Sequence, residues 1–380
     1  MQDWKTQKIL PRIMVLSLLM LCCTENLQTQ AVQSESHRFE VETVSADLRH
    51  PWGVAFLPGG EFLVTERPGR LLLIGRQGSP TQSISGLPEI REQGQGGLLG
   101  IALHPDFEGN GWVYLSYAGK GRGGYGTEVI RGRLEGRQLR NVKTIFKALP
   151  KSGGGRHFGS RLLFAPDGTL FISLGERGER LAAQNLGDHR GSLIRVNDDG
   201  SIPEDNPFVS RAGLRPEIYS YGHRNIQGMA LNPFSGDIWT HEHGPQGGDE
   251  INIIKPGSNY GWPTITYGVN YGIGTKIGEG THKPGMAQPI QKWVPSIAPS
   301  GMAFYTGDRF PNWKGDLFVG SLKFELLVRL KLQGNRIVGE ERMLKGQYGR
   351  IRDVVQGPDG YLYLLTDERR GRLLKLTPVF

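Results

Sequence analysis

Between Tyr221 and Trp262 the chain reads YGHRNIQGMALNPFSGDIWTHEHGPQGGDEINIIKPGSNYGW. An Arg-Asn pair (Arg224, Asn225), three histidines (His223, His241, His243) and the adjacent acids Asp249 and Glu250 alternate there with glycines. Glycine lets backbone approach a ligand closely and adopt positive φ, so the stretch reads as a ligand cradle. Smaller clusters of the same kind lie elsewhere. They are Gln93 and Gln95 in REQGQGGLLG, His157 with Arg156 and Arg161 in GGGRHFGSRL, Glu176 with Arg177, Lys323, and Arg350 with Arg352 in GRIRD. His157 follows three glycines, which places an imidazole on close-approaching backbone, where it could act as a general base near neutral pH. His241 and His243, two apart, would share one face of a strand and could form half of a zinc site. Arg224, Lys323, Arg350 and Arg352 occur at matching places and suggest an anion-binding ring. Asp249 and Glu250 beside glycine-rich backbone suit a hard cation such as Ca²⁺; turn capping by Asp249 is the alternative.

These residues need a scaffold that gathers them, and the chain repeats one. Proline, a turn and a short alternating strand recur six times: LPGGEFLVTE from Leu57, HPDFEGNGWVYLSY from His104, APDGTLFISLGE from Ala165, NPFSGDIWTHEH from Asn232, FPNWKGDLFVGSLK from Phe310 and GPDGYLYLLTD from Gly357. Proline presets φ for the turn, Gly or Asp completes it, and a β-branched or aromatic strand follows. ERPGRLLLI after the first unit and ERRGRLLKL after the last would each be the next strand of the blade. The shortest spacings fit one four-stranded blade, and the longer ones carry insertions. The expected fold is all-β, a six-bladed β-propeller of four-stranded antiparallel blades, occupying residues 36–380 as one domain. Phe39 to Ala46 should close the ring by pairing into the final blade, because an open ring would leave an exposed edge. The chemically loaded clusters lie just before a repeat or just beyond its strand, and in a propeller such positions converge at one axial mouth. The region from Asn259 to Thr281, without periodicity, should cover that mouth.

The first 31 residues differ. Lys5, Lys8 and Arg12 precede an apolar run from Ile13 to Cys23 that is short for a membrane span, which reads as a secretory signal. Lipid attachment at Cys22 or Cys23 is an alternative, disfavoured by the bulk of Met20 and Leu21. Both cysteines of the chain lie in this segment, so the exported part would carry no disulfide. The formal net charge is +8 over 380 residues, which suits an anionic ligand. The bases are dispersed and no nucleic-acid motif accompanies them, so a nucleic-acid partner is not expected. Periplasmic or secreted residence follows.

The motifs GQGGLLGIALHPDF, HFGSRLLFAPDG, YGHRNIQGMALNP, EHGPQGGDEIN, NYGWP and RIRDV…GPDGYLYLLTD, in this order, resemble the soluble pyrroloquinoline quinone (PQQ)-dependent aldose sugar dehydrogenases related to soluble glucose dehydrogenase. The resemblance runs from His50 to the C-terminus and implies oxidation of aldose sugars at C1 to aldonolactones, with an external quinone, dye or cytochrome taking the electrons. It implies that His157 is the general base, that Arg224 stabilises charge on the cofactor carbonyl, and that Glu176 stands where glucose-oxidising relatives carry Asp. It matches Gln95, Asn225, Tyr271, Ser321, Lys323, Arg350 and Arg352 to PQQ-contacting positions, which is sensible for a planar tricarboxylate. It matches the Gly244 and Pro245 carbonyls to a Ca²⁺ beside PQQ, and Glu250 with the Tyr260 carbonyl to a second, structural Ca²⁺. The loops from Gly119 to Gly126 and Gly272 to Gly285 are short and glycine-rich compared with the glucose-specific enzymes, which favours an open site with broad aldose use. Two other classes compete: a Ca²⁺-dependent propeller hydrolase such as a lactonase, which needs an axial metal ringed by carboxylates, and a non-catalytic secreted propeller that binds a partner.

Overall fold

The structure is a computed structural model that describes Gln2 and residues 31–379. Apart from Gln2 and Ala31, the expected leader lies outside the described residues. Six antiparallel sheets stand around an axis. Pro51–Phe56, Phe62–Glu66, Arg70–Ile74 and Thr81–Ile84 make blade one. Blades two to five span 98–147, 162–221, 226–293 and 299–343, four strands each. Blade six combines 351–378 with the N-terminal strand Arg38–Leu48, which pairs Phe39 with Pro378 and Val41 with Leu376. The ring is thereby closed as the sequence suggests. Blade six also gains a fifth, two-residue strand, Val32–Gln33, paired with Phe39 and Arg38. The ring thus begins four residues earlier than expected.

The proline repeat falls at one place in every blade, the turn between its first and second strands. In blades one, three and six the turn closes identically: Gly60, Gly168 and Gly360 donate their N–H to the carbonyls of Leu57, Ala165 and Gly357 at 2.8–3.0 Å. All three glycines have φ near +80°, a conformation that side chains with a Cβ resist.

Both faces of each inner strand are covered by neighbouring blades, so the strands read as nearly continuous apolar runs. Alternate residues face opposite neighbours. Leu63 packs into the cluster shared with blade two, whereas Phe62 and Val64 pack into the one shared with blade six. Six such interblade clusters make up the bulk of the core. Buried hydroxyls stitch adjacent blades: Thr65 donates to the Leu99 carbonyl at 2.5 Å, Ser116 to Ser160 at 2.6 Å and Ser300 to Ile351 at 2.6 Å.

Antiparallel order puts the loops between second and third strands on the same face as the loops leading into each next blade. That face is the mouth. The insertion 254–290 of blade four climbs onto it: Trp262 N–H donates to the Gly222 carbonyl at 2.8 Å, and Gln246 and Val269 exchange backbone bonds at 3.1 Å. Among the described residues no helix is long and apolar enough to cross a membrane.

Candidate active site

A cavity of about 470 Å³ opens at the mouth, lined among others by Gln95, Asn225, Lys323, Arg350 and Arg352. Each comes from the loop before a blade, from the start of its first strand, or from just beyond its second strand. Arg67 adds a fourth cation, and Asp367 is the acid in the wall. Asp367 is already engaged, at 2.7 Å from Arg352 Nη2 and 3.0 Å from His50 Nδ1. Burial pushes its carboxyl up, but the charge and hydrogen bond of Arg352 and the bond from His50 outweigh this and hold it well below the carboxylate range. The cavity wall is therefore net positive.

His157 sits beside this cavity, tied to it through Gln95, whose Oε1 accepts the His157 N–H at 2.8 Å. Its imidazole Nδ1 lies 2.7 Å from Glu176 Oε2. A carboxylate accepts only, so Nδ1 carries the proton and Nε2 keeps its lone pair. Nε2 has no partner among the described residues. Burial lowers the imidazole pKa, Arg224 and Arg156 add to this, and Glu176 opposes it; the ring is neutral at physiological pH. Burial also pushes Glu176 up, but the His157 bond and charge, the Gly178 N–H and Arg224 together keep its carboxyl below its ordinary value. His157 has φ +55°, uncommon for a residue with a Cβ. The conformation is held from the neighbouring loop by Arg177, whose buried guanidinium lies 3.4 Å from the Phe158 ring centroid and donates to the Arg156 and Gly154 carbonyls.

Arg224 is buried, donates to the His243 carbonyl at 2.8 Å and lies 5.3 Å from the Trp262 ring. Its own N–H is bound by Glu242. Asn225 Oδ1 accepts from Gly159 N–H at 3.1 Å, joining blades three and four under the cavity. Tyr271 stands at the rim, 65% exposed, on the loop that Gln246 holds through Gly272. Ser321 differs from the other candidates: it is fully buried and its hydroxyl donates to the Ile297 carbonyl at 2.6 Å and accepts from Phe324 N–H. The zinc idea finds no support. His243 Nε2 is taken by the Pro299 carbonyl at 2.6 Å, His241 is enclosed in the core, and among the described residues no group of three His, Cys, Asp or Glu could hold a metal.

For Ca²⁺, the residues matched to the two sites fall in one region of blade four. Asp249 caps the loop that carries Gly244 and Pro245: its carboxylate accepts from Gly244 N–H, Ala298 N–H and the Ser296 hydroxyl at 2.8–2.9 Å. Strand register sets Glu242 directly opposite Glu250, an arrangement that like charges disfavour. The Asn252 amide binds Glu242 at 3.4 Å, while its own Oδ1 is buried without a partner. Paired carboxylates and an orphaned oxygen form a donor set that a hard cation fits. The cationic cavity likewise fits a flat polycarboxylate, and Arg352 Nε is buried there without a partner.

Sequence reading missed Trp52, Gln227 and Asp367, and it named Arg177 beside Glu176 without assigning it a role. Trp52 floors the cavity, with Arg161 4.4 Å over its ring. Gln227 accepts from Arg352 and, through its carbonyl, from Arg161. Asp367 ends the sixth repeat strand where Glu176 follows the third, so the repeat register held a signal for it.

Fold and site together define a propeller whose mouth presents a net-positive cavity beside a buried histidine-carboxylate pair. Residues 48–375 match the family model described as Glucose / Sorbosone dehydrogenase, and the chain belongs to that family of oxidoreductases. It is 46% identical to the aldose sugar dehydrogenase YliI of Escherichia coli, over 89% of this chain and 92% of that protein. A crystal structure of a glucose dehydrogenase superposes with a TM-score of 0.86 at 51% identity, covering 88% of this chain and 98% of the other. The PQQ-bound form of an aldose sugar dehydrogenase from Streptomyces coelicolor superposes at 0.74 with 30% identity, covering 90% and 100%.

Proposed function

We propose that the protein oxidises aldose sugars at C1 to aldonolactones, using PQQ and Ca²⁺ and passing electrons to an external acceptor. The observation that carries this is the His157 imidazole, locked by Glu176 with Nε2 free, beside a net-positive cavity. Nε2 takes the proton from the anomeric hydroxyl, and Glu176 stabilises the imidazolium that forms. When bound, PQQ supplies the two-electron acceptor for the hydride leaving C1, and Ca²⁺ supplies a Lewis acid. Lys323, Arg350 and Arg352 would hold the cofactor's anionic groups, Gln95 and Asn225 would add hydrogen bonds to it, and Tyr271 would flank the entrance. Arg224 is placed to stabilise negative charge developing on the cofactor. The Gly244 and Pro245 carbonyls would face the catalytic Ca²⁺, and Glu250 with the Tyr260 carbonyl the structural one. Ser321 serves by fixing the turn that carries Lys323. Export to the periplasm by the leader, and broad use of aldoses through the short loops, complete the reading.

The lactonase alternative is disfavoured by the axis itself, where cations outnumber free carboxylates: Asp353 is paired to Arg161 at 2.9 Å and Asp367 to Arg352. The test is reconstitution of purified apoprotein with PQQ and Ca²⁺, followed by dye reduction with a panel of aldoses. His157→Ala should bind PQQ as wild type does and lose at least about 10²-fold in turnover. Absence of turnover with every sugar despite bound PQQ would discard the reading.

A further inference from the structure

The mouth face carries more positive charge than the cofactor pocket needs. Exposed acids there are each ion-paired: Glu89 with Arg91 at 2.6 Å, Glu92 with Arg67 at 2.8 Å, Glu179 with Arg190 at 2.6 Å and Glu279 with Lys283 at 2.8 Å. Several exposed bases on the same face, other than Arg91 and Arg370, are not. Lys120 and Arg122 at the tip of the blade-two hairpin, Arg156 before blade three, Lys345 before blade six and Arg369 on blade six are exposed and have no ion-pair partner among the described residues. The opposite face, by contrast, mixes acids (Asp106, Glu108, Asp199, Glu204) with bases such as Arg76 and Arg137 that have no ion-pair partner among the described residues. Across the mouth from these cations, on blade four, Ile273 is 79% and Val294 65% exposed. A neutral sugar gains nothing from an outer cationic rim, and a bound cofactor lies inside it. A rim of unpaired positive charge with an apolar patch beside it is the footprint that an oppositely charged protein recognises.

We infer that the mouth face docks an acidic one-electron redox protein, which takes electrons from the site; the electron-transfer part rests on the dehydrogenase reading above. Each turnover leaves two electrons and two protons on the reduced cofactor. Two acceptor molecules, each carrying one oxidised metal centre, would remove one electron apiece in successive encounters, and both protons would pass to solvent, returning the cofactor to its quinone. The rim raises the encounter rate by long-range attraction, and salt should weaken it.

The test has a binding arm that is independent of turnover. The full chain without cofactor is titrated by calorimetry with an acidic single-copper electron-transfer protein and, separately, with a basic c-type cytochrome. Binding of the acidic protein is expected, at least ten-fold weaker when salt rises from about 20 to about 200 mM, with no binding of the basic one. The variant K120E/R122E/K345E/R369E should lose at least ten-fold in affinity while keeping wild-type sugar turnover with an uncharged dye. Equal binding of both probes, or an unchanged affinity in the variant, overturns the inference. So does capture by anionic phospholipid vesicles without binding of the acidic protein. Absence of dye turnover with any sugar would instead remove the dehydrogenase reading and leave the docking face to be decided by calorimetry.

Discussion

At the scale of residues, one device recurs with different outcomes. A carboxylate near the end of a blade's second strand holds Nδ1 of a histidine in a loop entering a first strand: Glu176 with His157 at 2.7 Å, Glu242 with His223 at 2.9 Å, Asp367 with His50 at 3.0 Å. What separates them is the far nitrogen. His223 Nε2 lies 2.9 Å from the Ser220 hydroxyl and its ring stacks on Tyr260, so it is fixed on both sides. His157 Nε2 has no partner among the described residues, so His157, unlike His223, is left able to accept a proton. Glu176→Gln should keep an acceptor for Nδ1–H but remove the charge that raises the imidazole pKa. Because burial already lowers that pKa, the acid limb of kcat/KM in the wild type should lie below the ordinary value of about 6.5. In the variant it should move further to low pH, and maximal turnover should fall by about 10- to 100-fold. A limb that moved toward neutrality would contradict the assigned pairing. The sign for stability follows: the folded imidazole binds protons less readily than the unfolded one, so acidification through this range opposes folding.

At the scale of elements, the first-to-second-strand turns were legible because proline and glycine mark them in sequence, and the inner strands because burial on both faces makes them apolar. GRLLLI and GRLLKL are indeed third strands, Arg70–Ile74 and Gly371–Pro378. Apart from Arg38–Leu48, whose alternation showed, the outermost strands were not legible. Thr81–Ile84 reads TQSI and Gln291–Trp293 reads QKW; at the rim half of such a strand meets water, and neither period nor composition separates it from a loop. The histidine pairs were illegible for another reason, since each joins residues 19 positions apart or, for His50 and Asp367, the two ends of the chain. Asp249 illustrates how an ambiguous acid resolves. Its capping of the Gly244 and Ala298 N–H groups was foreseeable as a rival to metal binding, while Ser296 came from a stretch with no motif. Asp249→Ala would leave two buried N–H groups unpaired, and the expected loss is about 2 kcal/mol or more in urea denaturation. A loss near zero would show that the loop finds other acceptors.

At the scale of the whole molecule, the site exists because the ring closes. Cavity residues come from both ends of the chain: Trp52 and Arg67 from blade one, Arg350, Arg352 and Asp367 from blade six. The strand that locks those two blades into register is Arg38–Leu48, which completes blade six and reaches the entrance to blade one. Phe39, fully buried, packs edge-on against Phe310 and Trp313 of blade five, 6.2 and 5.5 Å between centroids, so the closing strand also grips its neighbour. Phe39→Ala should cost about 3–5 kcal/mol and lower the melting temperature by several degrees. If the cavity holds PQQ, ligand binding stabilises only the closed ring. Wild type and variant should then both melt higher with PQQ and Ca²⁺ added, and the variant should bind PQQ more weakly although Phe39 lies at the periphery, away from the axis. Unchanged affinity in a variant that has lost the expected stability would mean that the mouth holds its shape independently of closure, and that the six loops are organised locally.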